Sequence, residues 1–130
     1  MNIVWRYITA SRNTYAALFA ACEKYGYILE PADADELSKV DIVCYSLNSL
    51  NYADYVDEMK RLDAVVIAGG PHPSACPDEV LKTADYVVVG EGERSLPALL
   101  DALVKGYNPE DIAGVASKKG FVPADYSVRL

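Results

Sequence analysis

Four short segments carry the residue types from which a ligand site could be built. The first is Thr9-Ala10-Ser11-Arg12-Asn13-Thr14. Its hydroxyls, its amide and the free N–H groups of an opening helix suit an anion, with Thr9, Ser11 and Asn13 as candidate contacts. Ser11 or Asn13 equally suits a helix cap. The second is Ser46-Leu47-Asn48-Ser49-Leu50-Asn51, with four hydrogen-bonding side chains in six residues. A cap at Asn51 or Ser49 needs only one of them, so Ser46, Asn48 and Ser49 are candidates for a ligand. The third is Gly69-Gly70-Pro71-His72-Pro73. Paired glycines allow a tight turn and close approach to the backbone, and the prolines stiffen the chain beyond it. The fourth is Gly90-Glu91-Gly92-Glu93, again glycines beside charge. Glu93 falls where a helix opens, and its charge suits the helix dipole there.

Several chemistries are excluded by what these segments lack. There is no G-x-x-x-x-G-K-[ST] phosphate loop, no G-x-G-x-x-G after the first strand and no G-x-S-x-G elbow. His72 is the single histidine, and no second histidine or carboxylate cluster accompanies it in the sequence, so no metal site is expected. Cys76 lies near His72 but has no orienting third group, which argues against a nucleophile. No self-sufficient catalytic constellation emerges. The pattern describes a platform that holds a cofactor.

The elements that position these segments follow from hydropathy. Ile3 to Ile8 reads as a strand. Tyr15, Leu18, Phe19, Cys22 and Tyr25 then line one helix face, which Gly26 stops. Tyr27 to Leu29 reads as a second strand closed by Pro31, and Asp35 to Lys39 as a turn of helix. Ile42 to Tyr45 is a third strand, and Tyr52, Tyr55, Val56, Met59 and Leu62 mark a helix. Ala64 to Ala68 is a fourth strand, followed by a loop to Pro77 and a short helix from Asp78 to Thr83. Tyr86 to Val89 is a fifth strand, and Leu96, Leu99, Leu100 and Leu103 mark the last helix, ended by Gly106. Strict βα alternation with nearly continuous apolar strands predicts a three-layer αβα, Rossmann-like or flavodoxin-like domain. Five parallel strands in the order 2-1-3-4-5 are expected. Ile112 to Ser117 and Phe121 to Val122 read as a C-terminal β-hairpin. Residues 1–110 thus form the α/β domain and 111–130 a hairpin and linker, with no core pattern after Pro123. In such a sheet, ligands gather beyond the carboxyl ends of the strands, where all four segments fall.

Composition agrees. The 130 residues are 52% hydrophobic and 24% charged, with a net charge of −7. That is one ordinary domain, and an acidic one is a poor partner for nucleic acid or an anionic membrane. No apolar run, Ala64 to Ala68 included, approaches the ~20 residues that span a bilayer. Three cysteines at 22, 44 and 76, with no C-x-x-C and no opening signal segment, point to a reducing cytoplasm.

Two of the segments carry a family resemblance. Val65-Val66-Ile67-Ala68-Gly69-Gly70-Pro71-His72-Pro73, followed by Ala84-Asp85-Tyr86-Val87-Val88-Val89-Gly90-Glu91-Gly92-Glu93, resembles the N-terminal cobalamin-binding domain of B12-dependent radical SAM enzymes. The likeness covers about residues 1 to 122. It implies cobalamin as the cofactor, with the loops of Ser46, Gly69, Gly70 and Gly90 facing the corrin side chains and nucleotide tail. It also implies a radical SAM barrel in cis or in trans, which performs methyl transfer or related radical chemistry with S-adenosylmethionine and a 4Fe-4S cluster. The barrel's C-x-x-x-C-x-x-C motif does not occur in this chain, so the resemblance implies an excised N-terminal domain or a truncated relative. The D-x-H-x-x-G loop of other cobalamin domains is also absent, so no cobalt ligand is expected from residues 9–14. The alternative is FMN, because Thr9 to Thr14 is similar to a flavodoxin phosphate loop, with Arg12 in place of its glycine. A ligand-free interaction domain of the same fold is the third reading.

Overall fold

The computed structural model describes residues 1–123. The chain runs through β1 (Ile3–Arg6), α1 (Arg12–Glu23), β2 (Glu30–Ala32), β3 (Ile42–Ser46), α2 (Tyr52–Arg61) and β4 (Val65–Gly69). It continues through α3 (Pro71–Ala75), α4 (Pro77–Val80), β5 (Tyr86–Val88), α5 (Gly92–Lys105), β6 (Val115–Ser117) and β7 (Gly120–Phe121). Single 3-10 turns sit at Thr9–Ser11, Ala34–Glu36 and Pro109–Asp111. The expected linker beyond Pro123 lies outside the described residues.

All seven strands belong to one sheet, ordered β2-β1-β3-β4-β5-β6-β7. The pairs β1–β2, β1–β3, β3–β4 and β4–β5 are parallel, whereas β6 runs antiparallel to β5 and β7 to β6. The sheet is therefore mixed, where five parallel strands with a separate hairpin were expected. The hairpin covers an edge of β5 that would otherwise expose unpaired N–H and C=O groups. Its Val115 and Ala116 are buried, and Ser95 on α5 donates to the Ala113 carbonyl at 3.0 Å.

Alternation along each strand divides the core in two. Val4, Val43, Tyr45, Val66, Ala68 and Val87 face α2 and α4, meeting Tyr52, Met59, Val80 and Leu81. Ile3, Trp5, Ile42, Cys44, Ile67 and Val88 face α1 and α5, meeting Cys22, Leu96, Leu99 and Leu100. On the first face, Arg6 is bound by both Glu58 oxygens at 3.1–3.2 Å. Tyr45 donates to the same carboxylate at 2.6 Å, which bolts α2 to β1 and β3. No helix among the described residues is long and apolar enough to cross a membrane.

Two expected elements shifted, and both shifts involve proline. The second strand was expected at Tyr27 to Leu29, closed by Pro31. It lies at Glu30–Ala32 with Pro31 inside it. This is an edge strand paired only to β1, so the missing proline N–H costs no interior ladder bond. The segment after β4 was expected to be a loop to Pro77, but α3 forms there with proline in its first turn. Proline is tolerated in a first turn because those N–H groups have no partner within the helix.

Truncating the centre of the α5 layer is expected to be severe. Leu99 is fully buried, so Leu99→Ala should lower unfolding free energy by about 3 kcal/mol, read from urea titrations. Stability should also fall in alkali. Burial pushes the Cys22 thiol from 9.0 up to about 12, and burial, then the neighbouring Cys22, raises that of Cys44. Between 9.0 and about 12 the folded chain holds protons that the unfolded chain releases, so stability drops as pH rises through that window. The urea midpoint should fall across it, and fall less in Cys22→Ala.

Candidate functional site

A cavity of about 590 Å³ lies over the carboxyl ends of β1, β3, β4 and β5, between the first turns of α1 and α5. Its floor is the α1–α5 face of the sheet: Trp5, Cys44, Ile67 and Val88. Leu18 and Leu96 close it from the two helices, and Asn13, Thr14, Ser46, Glu91 and Glu93 put polar groups at its rim. The helices begin there because the preceding strands end there, so the site is a product of topology.

Trp5 is the largest side chain in the floor and is almost wholly buried. Its ring packs on Tyr15 with centroids 5.5 Å apart, and the Tyr15 hydroxyl donates to the Leu29 carbonyl at 2.9 Å. Its Nε1 is buried with no hydrogen-bond partner among the described residues. Buried indole N–H groups are ordinarily paired.

The far rim is built from backbone. Leu47 donates its N–H to the Gly69 carbonyl at 2.9 Å, and His72 donates its own to the Leu47 carbonyl at 3.3 Å. Gly70 sits at φ +103°, and a β-carbon there would stand 2.6 Å from the Leu47 oxygen and 2.9 Å from its nitrogen. Ser74 on α3 then accepts the Gly90 N–H at 2.9 Å, tying the turn after β4 to the turn after β5. Gly90 itself has φ +79°, a conformation that favours glycine.

The structure gathers some of the expected residues and separates others. Asn13, Ser46, Gly69, Gly70, Pro71, Gly90, Glu91 and Gly92 all line the cavity. Thr9, Ser11, Asn48, Ser49 and His72 do not. Ser11 is buried, and its hydroxyl donates to the Ile8 carbonyl at 3.0 Å. It stands at the N-cap of α1 but makes no side-chain cap bond, and Asn13 lies inside the helix. Asn48 accepts from the Leu50 and Asn51 N–H groups at 2.9 and 3.0 Å, and Asn51 accepts from that of Asn48 at 2.9 Å. That pair builds the turn before α2. His72 lies against Tyr52, with ring centroids 4.6 Å apart. Sequence reading passed over Trp5, Leu18, Cys44, Ile67, Ser74 and Val88. Period-two alternation could have grouped Trp5, Cys44, Ile67 and Val88 on one face, but not shown that the face is left open.

Tyr45 also borders the cavity, and its hydroxyl is committed to Glu58. Burial, and then that bond, hold its pKa well above the usual tyrosine range, so it is no acid or base near neutral pH.

Comparison with known proteins gives the family of the chain. The model of the B12 binding domain family matches residues 20–100, more than half of the chain. This chain belongs to the B12-binding domain family. Over 93 residues it is 30% identical to the bacteriochlorophyllide d C-8(2)-methyltransferase of Chlorobaculum tepidum, covering 68% of this chain and 20% of that enzyme. The fold resembles TsrM, a radical S-adenosylmethionine methyltransferase from Kitasatospora setae solved with cobalamin and a 4Fe-4S cluster. The TM-score is 0.76 at 20% identity, over 99% of this chain and 30% of that one. It also resembles OxsB, a cobalamin-dependent S-adenosylmethionine radical enzyme, with TM-score 0.75 at 15% identity, over 95% of this chain and 22% of that one. This B12-binding domain thus spans less than a third of each of these proteins. The family favours cobalamin over the flavodoxin alternative. Residues 9–14 form a 3-10 turn and the start of α1, with the Ser11 hydroxyl donating to the Ile8 carbonyl.

The B12-binding domain should depend on the close packing at Gly70. Gly70→Ala forces a β-carbon into the Leu47 backbone at positive φ, and should cost about 3 kcal/mol in a urea titration.

Proposed function

We propose that this domain holds cobalamin in the cavity over β1, β3, β4 and β5 and presents it to a radical SAM barrel, in cis or in trans. The barrel, with its S-adenosylmethionine and 4Fe-4S cluster, would carry out methyl transfer or related radical chemistry. The observation that carries the reading is the cavity itself: a B12-family fold with an apolar floor and an orphaned indole N–H at the strand ends.

The residues fit the group. A volume of about 590 Å³ suits an organic fragment, and the floor of Trp5, Ile67 and Val88 suits an aromatic base. Trp5 Nε1 supplies a buried donor, and Asn13, Thr14 and Ser46 supply exchangeable polar contacts at the rim. Backbone at Gly69, Gly70, Pro71, Gly90 and Gly92 would support the corrin edge, with Glu91 accepting from its amides. Thr9, Asn48 and Ser49 extend this surface along the same end of the sheet. His72 is set apart by its stacking on Tyr52, and residues 9–14 hold no histidine, so the cavity offers cobalt no imidazole.

Cobalamin, when bound, supplies group transfer at its cobalt. The chain's own residues bind, orient and desolvate it. The apolar floor excludes water, Trp5 fixes one polar contact, and the tied turns at Gly70 and Gly90 keep the rim rigid so that little is lost to ordering on binding. Residues 1–110 would form most of this holding domain, with β6 and β7 completing its sheet.

Trp5 is the only tryptophan and lines the cavity, so its fluorescence reports occupancy directly. Hydroxocobalamin should quench it saturably. Gly69 has ordinary space, with the nearest atom to an added β-carbon at 3.5 Å, so Gly69→Val should stay folded while weakening binding at least about tenfold. Quenching by FMN alone would turn the reading to a flavin. Quenching by neither would leave the ligand-free interaction domain.

A further inference from the structure

α3 and α4 meet at Cys76 and bring together three groups that do not line the cavity: the His72 imidazole, the Cys76 thiol and the Glu79 carboxylate. One ligating atom of each lies within 4.8 Å of the other two. The sequence placed Cys76 near His72, but the carboxylate joins them only because the chain breaks its helix at Cys76 and restarts at Pro77. His72 Nε2 stands 3.5 Å from Glu79 Oε1, outside good hydrogen-bond range. That nitrogen is buried and has no hydrogen-bond partner. Buried polar atoms are rarely left so, and each one calls for an explanation. The imidazole is also held in place, its ring tilted 37° against Tyr52 and its side chain only 15% exposed.

Imidazole, thiolate and carboxylate together form the ligand set of a divalent metal of borderline softness. We propose that His72, Cys76 and Glu79 form a three-ligand site for a zinc-class divalent cation, separate from the cobalamin cavity, with a fourth position open to water. Bonds of about 2.0–2.3 Å set tetrahedral ligand atoms roughly 3.3–3.8 Å apart. The present spacing therefore needs a contraction of about 1.5 Å at most, part of it supplied by a rotamer change at Glu79, whose side chain is 54% exposed. On binding, the Cys76 thiol proton leaves to solvent and a sulfur–metal bond forms, with no change of oxidation state.

Among the described residues, other groups do not compete for this role. Cys22 and Cys44 are buried in the core. The second acidic group, Asp33, Asp35 and Glu36, is fully exposed, and Asp33 and Glu36 already close a capping box. The site matters for the cavity through α3, which also carries Pro71 and Ser74 at the rim. A cation bridging α3 to α4 would brace the turn that Ser74 ties to Gly90.

The test uses Co²⁺ as the probe on the cobalamin-free chain, reduced with a phosphine. A thiolate-to-cobalt charge-transfer band in the near ultraviolet should saturate at one equivalent and bleach on adding Zn²⁺. Cys76→Ser should abolish the band. Glu79→Gln, a conservative change at an exposed position, should weaken Co²⁺ binding at least about tenfold with an unchanged circular dichroism spectrum. No band up to millimolar Co²⁺, a band that survives in Cys76→Ser, or unchanged affinity in Glu79→Gln would overturn the proposal. None of these outcomes bears on cobalamin binding, which the Trp5 titration reads separately.

Discussion

The closest constraint in this molecule is the contact between the turn after β4 and the loop after β3. Gly70 lies where no β-carbon fits, against the backbone of Leu47. Two backbone hydrogen bonds, Leu47 to Gly69 and His72 to Leu47, hold that approach. Because Gly70 turns so tightly, Pro71 can open α3 at once, and Ser74 then reaches the Gly90 N–H. The rim of the cavity is thus three strand ends joined by main chain and one serine hydroxyl. A rim of this kind has few rotamers to lose, so its shape is set before any ligand arrives.

The sheet divides labour between its faces. On the α2 side, side chains tie the layers together: Arg6, Glu58 and Tyr45 form one linked group, and Arg6 also lies over the Tyr55 ring. On the α1–α5 side, the core is complete at the amino ends of the strands and open at their carboxyl ends. Trp5 marks the boundary, packed on Tyr15 but with its N–H unanswered. The many tyrosines also find a reason here. Tyr15, Tyr27 and Tyr45 bury ring surface and use their hydroxyls as ties to Leu29, Asp101 and Glu58, which phenylalanine could not do.

α3 joins the two sites. Its Pro71 and Ser74 look to the cavity, and its His72 belongs to the cluster with Cys76 and Glu79. Five residues serve two purposes because a short helix presents successive side chains in different directions. His72 illustrates how a residue in a recognisable motif can sit beside the cavity without lining it.

The layered fold was legible in the chain because apolar runs of strand length alternate with residues at helical spacing, and those periods are local properties. The four polar turns were legible too, since glycine and proline are confined by their own backbone chemistry. The expectation for Pro31 failed because whether a proline ends a strand depends on a neighbour: β2 is an edge strand, and sequence does not state which strand lies at the edge. The hairpin was visible, but not its capture by β5, which depends on an open sheet edge. Within the candidate site, Ser46, Gly69 and Gly90 could be named from their turns, whereas Trp5, Cys44, Ile67 and Val88 read as ordinary core. They are core residues in type. The packing of α1 and α5 leaves their end of the sheet uncovered. Whether an apolar face is filled or left as a cavity depends on where two distant helices begin in space, and only tertiary structure decides that.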